Sequence, residues 1–235
     1  MNGLSSLHDS ESTAPRSLRG EAARFGRRAA KAAAGVVLPK LWFAYHGSRH
    51  GKRLSVTFDD GPTDLTKAYV ALLESFGVRA TFFVVGENCR ARAHELEELA
   101  VRGHEIALHG YSHRPFPALA TNELTRELDA TCELLPATSG RTLVRPPRGE
   151  LSPGALMTCA RAGYTTVLWS RDSGDCRTQD SAELVRGFQE LPARAGDILL
   201  FHEGQPWTLA ALPHILDDLL EADHELVTVG ELLAA

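Results

Sequence analysis

The chain has 235 residues, of which 43% are hydrophobic, and this length suits one large core of the size that single α/β barrels commonly have. Its four cysteines are widely spaced and contain no C-x-x-C pair, which excludes a zinc ribbon or a disulfide scaffold and favours free thiols in a reducing compartment. The formal net charge of −5 is unevenly distributed, because residues 1–53 carry ten Lys and Arg against three Asp and Glu. This segment therefore has a net charge of +7, and the remainder has −12.

Residues 1–50 form a basic leader that we expect to be partly disordered or helical. A helix is predicted over residues 21–38, and its basic face consists of Arg24, Arg27, Arg28 and Lys31. Such a face favours peripheral contact with a membrane surface through residues 16–31, and a solvated flexible leader is the alternative. The longest apolar run near the front, residues 32–38, is too short to span a bilayer. We therefore expect a cytoplasmic, membrane-peripheral protein without a nucleic-acid partner.

An aromatic cluster at residues 41–45 is expected to pack on the domain that follows, which comprises residues 51–235. In this domain, strand-like and helix-like segments alternate seven times. The predicted strands cover residues 54–58, 80–85, 105–108, 142–145, 164–168, 197–201 and 225–228. The predicted helices cover residues 65–76, 92–102, 121–135, 153–162, 182–191, 209–221 and 229–233. Short connections in this order predict parallel strands with right-handed crossovers.

Charged and histidine residues recur just after the predicted strands around most of the domain. In a barrel the carboxyl ends of parallel strands converge on one mouth, whereas in a doubly wound open sheet they are strung along an edge. We therefore predict an α/β barrel rather than an open sheet.

The first predicted strand ends in two adjacent carboxylates, Asp59 and Asp60, followed at once by Gly61 and Pro62. Asp-Gly and Gly-Pro pairs are ordinary turn formers, so a plain turn is one interpretation. Neighbouring side chains at the end of a strand can also point to different places. In that case one carboxylate could hold a metal ion while the other accepts a proton.

Two histidines, His109 and His113, lie four residues apart just after the predicted strand 105–108. Such a pair can chelate one divalent ion, although histidines also recur at this spacing by chance. Together with Asp60 they would form a site of two histidines and one carboxylate with open positions. This ligand set suits zinc-dependent hydrolysis and also occurs in non-haem iron proteins.

Two later strands are also followed by side chains that could carry chemistry. Arg145 precedes two prolines that stiffen the backbone, so its guanidinium could be fixed towards a carboxylate, or the segment could be a plain stiff loop. His202 lies at the tip of the apolar strand 198–201 and is a candidate general acid or base. A capping or buried core histidine is the structural alternative at this position.

Five motifs in this order resemble the polysaccharide deacetylase family, also called carbohydrate esterase family four. They are T-F-D-D-G-P (57–62), H-x-x-x-H (109–113), R-P-P (145–147), D-S-x-D (172–175) and L-L-x-H (199–202). The resemblance runs from about residue 53 to the C-terminus and does not cover the first 50 residues. It implies a distorted (β/α)7-type barrel as the fold of a catalytic domain.

The resemblance also implies a role for each matching side chain. Its metal ligands would be Asp60, His109 and His113, and the cofactor would be a divalent ion, with Zn²⁺ expected. Asp59 would be the general base and His202 the general acid. The residues expected to assist are Arg145, which orients Asp59, and one acid of the Asp172/Asp175 pair, which tunes His202; Asp172 is taken as the first choice and Asp175 stays open as the alternative. Leu200, Arg148, Trp169 and Tyr111 are expected to contact the substrate.

The sequence departs from the family pattern around the expected substrate cleft, at Gly110, Arg114, Arg148, Ser170, Arg171 and Cys176. None of these changes removes an implied ligand, base or acid, so the chemistry should be retained. They do place a polymeric chitin-like or peptidoglycan substrate in question. The guanidinium groups of Arg114 and Arg148 would suit an anionic group on the substrate.

The sequence thus predicts a metal-dependent hydrolase that removes an N-acyl group, acetyl or formyl, from an amino sugar, which could be anionic or lipid-linked. One alternative is the hydrolysis of a small non-sugar amide or ring amide. A second alternative is a catalytically silent carbohydrate-binding domain, against which the intact Asp59 and His202 argue, because binding alone requires neither residue.

Overall fold

The computed structural model describes residues 41–136 and 143–234. Its strands are β1 (Phe43–Ala44), β2 (Arg53–Gly61), β3 (Thr81–Val84), β4 (Glu105–Leu108), β5 (Leu143–Val144), β6 (Thr165–Val167), β7 (Arg171–Asp172), β8 (Ile198–His202) and β9 (Glu225–Leu226). All pair in parallel, in the order β1-β6-β5-β4-β3-β2-β8-β7, and β9 pairs with the start of β2. This curled sheet with its helices confirms the predicted distorted (β/α)7-type barrel.

Eight α-helices are described in the same part of the chain. They are α1 (Thr66–Ser75), α2 (Gly86–Ala91), α3 (Ala93–Val101), α4 (Thr121–Cys132), α5 (Pro153–Arg161), α6 (Ser181–Glu190), α7 (Pro206–Glu221) and α8 (Val229–Leu233). Helix α5 begins where the Ser152 side chain accepts a hydrogen bond from the Ala155 amide, and α8 begins at a capping box formed by Thr228 and Glu231. Among the described residues, no helix is both long enough and apolar enough to cross a membrane.

Successive side chains of β2 point alternately to the outer core, between the sheet and the helices, and to the interior of the barrel. Leu54, Val56 and Phe58 face the helices and belong to the largest buried apolar cluster, where the Phe58 ring packs on Tyr69, Phe82 and Phe201. The alternate residues Ser55, Thr57 and Asp59 are buried as well, on the opposite face. Strand β2, which pairs with β3, β8 and β9, therefore presents polar groups to the interior of the barrel.

Two strands were not predicted as such, and both lie at the edges of the sheet. Strand β1 comes from the aromatic cluster and pairs with β6 through Phe43 and Ala44, so the sheet includes residues N-terminal to the expected boundary at residue 51. Strand β7 pairs with β8 through Arg171 and Asp172. The predicted leader helix and its basic face lie outside the described residues.

Arg145, at the end of β5, crosses the barrel interior and is fully buried. Its Nη1 donates to Asp59 Oδ1 at 2.6 Å and to Thr57 Oγ1 at 2.8 Å, both on β2. Its Nε donates to the carbonyl of Val167, at 3.3 Å, and its guanidinium carbon lies 3.9 Å from the centroid of the Phe83 ring. One side chain thus connects β5, β2 and β6 by charge-assisted hydrogen bonds in a water-excluded space.

The buried Arg145–Asp59 ion pair yields a prediction for stability. Arg145→Met leaves a buried carboxylate without its partner and should lower the free energy of unfolding by about 3–5 kcal/mol. Combining it with Asp59→Asn should recover part of this loss, because the second change removes the unpaired charge. Urea unfolding followed by circular dichroism measures the free energy of unfolding of these two variants and of the unchanged protein.

Arg92→Met is the matched control, since Arg92 pairs with Asp64 at the surface. We expect it to change the free energy of unfolding by about 1 kcal/mol or less. An equal loss in Arg145→Met and Arg92→Met would contradict the structural importance of the interior pair.

Candidate metal centre

The two carboxylates at the end of β2 reach the same mouth of the barrel because the strand is irregular there. The pairing of β2 with β3 shifts between Asp59 and Gly61, so Asp60 is the extra residue of a bulge. Asp60 has a φ of +72°, a left-handed conformation that aspartate tolerates better than most residues. Its backbone carbonyl accepts a hydrogen bond from Asn88 Nδ2 at 2.9 Å, which fixes the bulge to α2.

The histidine pair lies on the loop that follows β4 rather than on a helix. His109 continues the ladder, since its amide donates to the carbonyl of Val84 at 2.8 Å. The chain then turns back, with φ +79° at Gly110 and φ +55° at His113. Glu127 of α4 fixes this turn by accepting from the amides of the two residues that follow Gly110, at 3.0 and 3.2 Å, and from the Ser112 hydroxyl at 2.5 Å.

Asp60, His109 and His113 lie close enough to bind one ion, as the sequence predicted. Asp60 Oδ1 lies 3.1 Å from His113 Nε2 and 3.4 Å from His109 Nε2. This oxygen is buried and makes no hydrogen bond with any group in the described part of the chain. Burial disfavours the charge of Asp60, but the two imidazole rings hold its pKa well below the usual range.

The donor set fits a divalent cation. His109 Nδ1 lies 2.8 Å from the Arg145 carbonyl, so with the Nδ1 hydrogen donated to that carbonyl the Nε2 lone pair is available to a cation beside Asp60. Two imidazole nitrogens and one carboxylate form a common three-ligand set of catalytic zinc sites. Because this buried Asp60 oxygen accepts no hydrogen bond among the described residues, an ion would also satisfy it.

The remaining two predicted groups lie next to this centre. Asp59 and His202 are register partners on the neighbouring strands β2 and β8. Asp59 Oδ2 lies 3.7 Å from His109 Nε2, whereas its Oδ1 is held by Arg145. Asp59 is 3% exposed. A carboxylate and an imidazole therefore stand beside the three ligands without belonging to them.

The carboxylate beside His202 is Asp175 and not Asp172, which corrects the choice made from the sequence. Asp175 Oδ1 lies 2.7 Å from His202 Nδ1, and Asp175 Oδ2 accepts from the His202 amide at 2.7 Å. Asp172 instead binds Arg177 through two contacts of 3.0 and 3.2 Å. In the pairing of β7 with β8, Asp172 lies opposite Leu200, which is two residues before His202.

The environment of His202 favours its charged form. Burial alone would lower the pKa of the ring, but the hydrogen bond and charge of Asp175, together with the neighbouring Cys176 side chain, raise it to about 11. His202 therefore stays protonated at neutral pH, with Nδ1 directed at Asp175. The Nε2 proton of the ring is the one left for transfer to another group.

The four side chains expected at the substrate occupy different surroundings. Leu200 is 3% exposed and lies on the same side of β8 as His202. The Trp169 ring packs near the Arg145 guanidinium, and the Tyr111 ring packs against α2 beside Arg90. Arg148 is exposed, with φ +58°. The hydrogen bond and charge of Asp60 raise the pKa of His113, and the charge of the nearby Arg148 offsets part of this effect.

Sequence reasoning missed two carboxylates that hold the site loops, the half-buried Glu127 and the buried Glu203. Glu127 fixes the histidine turn, as described above. Glu203 is 3% exposed, and its Oε1 accepts from the Thr63 amide at 3.0 Å, from the Thr63 hydroxyl at 3.1 Å and from the Thr66 hydroxyl. Burial raises the pKa of Glu203. Glu203 directly follows His202 after an apolar strand, and this position was the only signal for it in the sequence.

Comparison with known proteins identifies relatives with the same architecture. The family model described as polysaccharide deacetylase matches residues 46–167. A peptidoglycan-N-acetylglucosamine deacetylase of Bacillus cereus is 32% identical over 202 residues, which cover 83% of this chain and 94% of that protein. A bifunctional xylanase/deacetylase of Pseudobutyrivibrio xylanivorans is 27% identical over 79% of this chain, a match that covers 31% of the longer protein.

Solved structures agree with this assignment. A peptidoglycan N-acetylglucosamine deacetylase in complex with 4-naphthalen-1-yl-N-oxidanyl-benzamide superposes with a TM-score of 0.80 at 25% identity, covering 86% of this chain and 96% of that one. A CE4 family pseudoenzyme from Bacillus anthracis shares the fold, with a TM-score of 0.75 at 20% identity over 83% of this chain and 69% of that one. The chain belongs to the polysaccharide deacetylase family.

Proposed function

We propose that this chain is a metal-dependent N-deacetylase that hydrolyses the acetamido group of an amino sugar. The observation that carries the proposal is the arrangement at the barrel mouth. Three candidate metal ligands, Asp60, His109 and His113, lie next to an arginine-held carboxylate, and a protonated imidazole stands on the neighbouring strand. Family membership supports deacetylation as the reaction class.

The cofactor of the proposed enzyme is a divalent ion, with zinc favoured by the two imidazole nitrogens. Asp60, His109 and His113 would hold it. When bound, such an ion supplies Lewis acidity, which polarises an amide carbonyl and acidifies water. The chain itself contributes the rigid placement of the ligands, through Glu127 on the histidine turn and Asn88 on the Asp60 bulge.

Hydrolysis of an amide adds one water across the C–N bond and moves two protons. Asp59 is placed to accept the proton of the attacking water, because Arg145 fixes one carboxylate oxygen and leaves the other facing the mouth. His202 is placed to donate its Nε2 proton to the leaving nitrogen, since Asp175 holds the ring in the charged state. The products are a carboxylic acid and a free amine. Leu200 would contact the methyl of the acyl group.

The sugar is a further part of the proposal. The similar Bacillus cereus protein named above is a peptidoglycan-N-acetylglucosamine deacetylase, which supports N-acetylglucosamine as the reacting unit. Arg114 and Arg148, both exposed beside the histidine turn, supply two positive charges near the mouth. A substrate that carries a carboxylate or phosphate close to the acetamido group would pair with them.

A catalytically silent sugar-binding domain is the second candidate function. The observation that favours it is the likeness to a CE4 family pseudoenzyme, which shows that this fold also occurs without activity. Binding alone gives no reason to hold His202 in its charged form beside Asp59. The experiment below therefore separates metal binding from turnover.

The test of the proposed function combines metal analysis with kinetics. The purified chain should bind one equivalent of zinc and release acetate from N-acetylglucosamine oligomers or peptidoglycan fragments. Asp59→Asn should keep the zinc and lower kcat by about 10²–10⁴-fold, because the proton acceptor is lost while all three candidate ligands remain. His113→Ala should lose the zinc and the activity together, since it removes a ligand.

Asp64→Asn is the matched control, because it makes the same chemical change at a surface carboxylate paired with Arg92. It should leave zinc content and kcat unchanged. Bound zinc without turnover on sugar oligomers, peptidoglycan, lipid-linked sugars and ring amides would support the silent binding domain instead.

The Asp175–His202 pair yields a pH prediction. Activity requires protonated His202, so on the alkaline side of the pH profile kcat should fall as pH rises through the raised pKa of the ring, well above the ordinary histidine value of about 6.5. Asp175→Asn removes the negative charge that raises the pKa. The alkaline limb of kcat should therefore move to lower pH by about 1–3 units, measured across a full pH profile.

Asp172→Asn is the control for this profile, because Asp172 binds Arg177 rather than the histidine. Its alkaline limb should stay within a few tenths of a unit of the wild-type position. An unmoved limb in Asp175→Asn, or an equal displacement in both variants, would refute the assignment of Asp175 as the residue that tunes His202.

A further inference from the structure

A second group of metal-binding side chains lies beside the proposed catalytic centre. Asp175, Cys176 and His202 each offer one ligand atom, and these atoms all lie within 4.8 Å of one another. The group shares no residue with Asp60, His109 and His113. It therefore offers a separate set of one carboxylate, one thiol and one imidazole.

Two of its three members are held in place by the fold. Asp175 is 1% exposed; its Oδ2 accepts from Thr208 Oγ1 at 3.0 Å, and its carbonyl accepts from Trp207 Nε1 at 2.8 Å. His202 is fixed by β8 and by its contact with Asp175 Oδ1. Cys176 is exposed, so an ion can reach the group from solvent on the thiol side. The cluster thus combines two ligands that the fold holds in place, Asp175 and His202, with an exposed thiol ligand, Cys176.

We propose that Asp175, Cys176 and His202 form a second, inhibitory Zn²⁺ site. A thiolate, an imidazole nitrogen and a carboxylate are all ordinary zinc ligands, and a sulfur ligand favours zinc over magnesium or calcium. The ion would take the place of the proton between His202 Nδ1 and Asp175 Oδ1. Each ion bound releases two protons, one from that nitrogen and one from the Cys176 thiol.

The geometry of this second site should give it a lower affinity for zinc than the site of Asp60, His109 and His113. Tetrahedral zinc with bonds of about 2.0–2.2 Å separates its nitrogen and oxygen ligands by roughly 3.4 Å. His202 Nδ1 and Asp175 Oδ1 are 2.7 Å apart, so they must separate and give up a charge-assisted hydrogen bond. The second ion should therefore bind only after the first site is full.

Occupancy of this site would remove the proton donor of the proposed reaction. With a metal at Nδ1, His202 retains a single N–H and is no longer an imidazolium. Excess zinc should then inhibit the enzyme through Cys176. This consequence rests on the proposed role of His202 as general acid, whereas the binding of the second ion does not.

Cobalt titration of the metal-free full-length chain tests the site without any assay of activity. The first equivalent of Co²⁺ should produce no thiolate-to-cobalt charge-transfer absorbance, and the second should produce it. Cys176→Ser should abolish this absorbance and reduce the stoichiometry from two ions to one. Cys132→Ser, which changes the other exposed cysteine, should behave as the wild type does.

A second experiment measures the rate of deacetylation in excess Zn²⁺. For each protein this rate is compared with the rate of the same protein at one equivalent of Zn²⁺. Inhibition should be at least tenfold weaker in Cys176→Ser than in the wild type. Absence of the charge-transfer band at two or more equivalents, or its persistence in Cys176→Ser, would overturn the second site. If no deacetylation is found at all, the cobalt result still decides whether the site exists.

Discussion

The buried ion pair between Arg145 and Asp59 is the interaction on which the rest of the site depends. It connects β5 to β2 across the barrel interior, and the same arginine also donates to carbonyls at the end of β6. A buried pair of this kind contributes little net stability compared with apolar packing, so its presence requires another reason. The reason that the geometry supports is placement, because the pair fixes one oxygen of Asp59 and leaves the other at the barrel mouth.

Around this pair, two of the site residues, Asp60 and His113, reach the mouth through departures from regular structure. The bulge at Asp60 directs two successive carboxylates to the same place, and the turn after His109 brings His113 back towards it. Both departures are stabilised by polar side chains from neighbouring helices, Asn88 for the first and Glu127 for the second. The regular sheet makes the site rigid, and the irregular ends of its strands bring the candidate metal ligands together.

Much of this could be predicted from the sequence, because the seven strands and helices have clear hydrophobic periods and the chemistry-bearing residues follow the strands directly. The edge strands β1 and β7 were missed, since each is only two residues long and neighbours another strand along the chain without an α-helix between them, outside the predicted alternation. The choice of Asp172 over Asp175 failed for a different reason. Both carboxylates follow β6 within one short segment, and only the tertiary positions of Arg177 and His202 determine which partner each one takes.

The central claim is that Asp60, His109 and His113 bind one zinc ion beside Asp59 and His202. Zinc X-ray absorption spectroscopy of the full chain loaded with a single equivalent tests it most directly. The account predicts only nitrogen and oxygen ligands, with the scattering of two imidazole rings, and one ring fewer or no bound zinc in His113→Ala. A sulfur ligand at about 2.3 Å in the single-equivalent sample, or an absence of bound zinc in the unchanged protein, would contradict it.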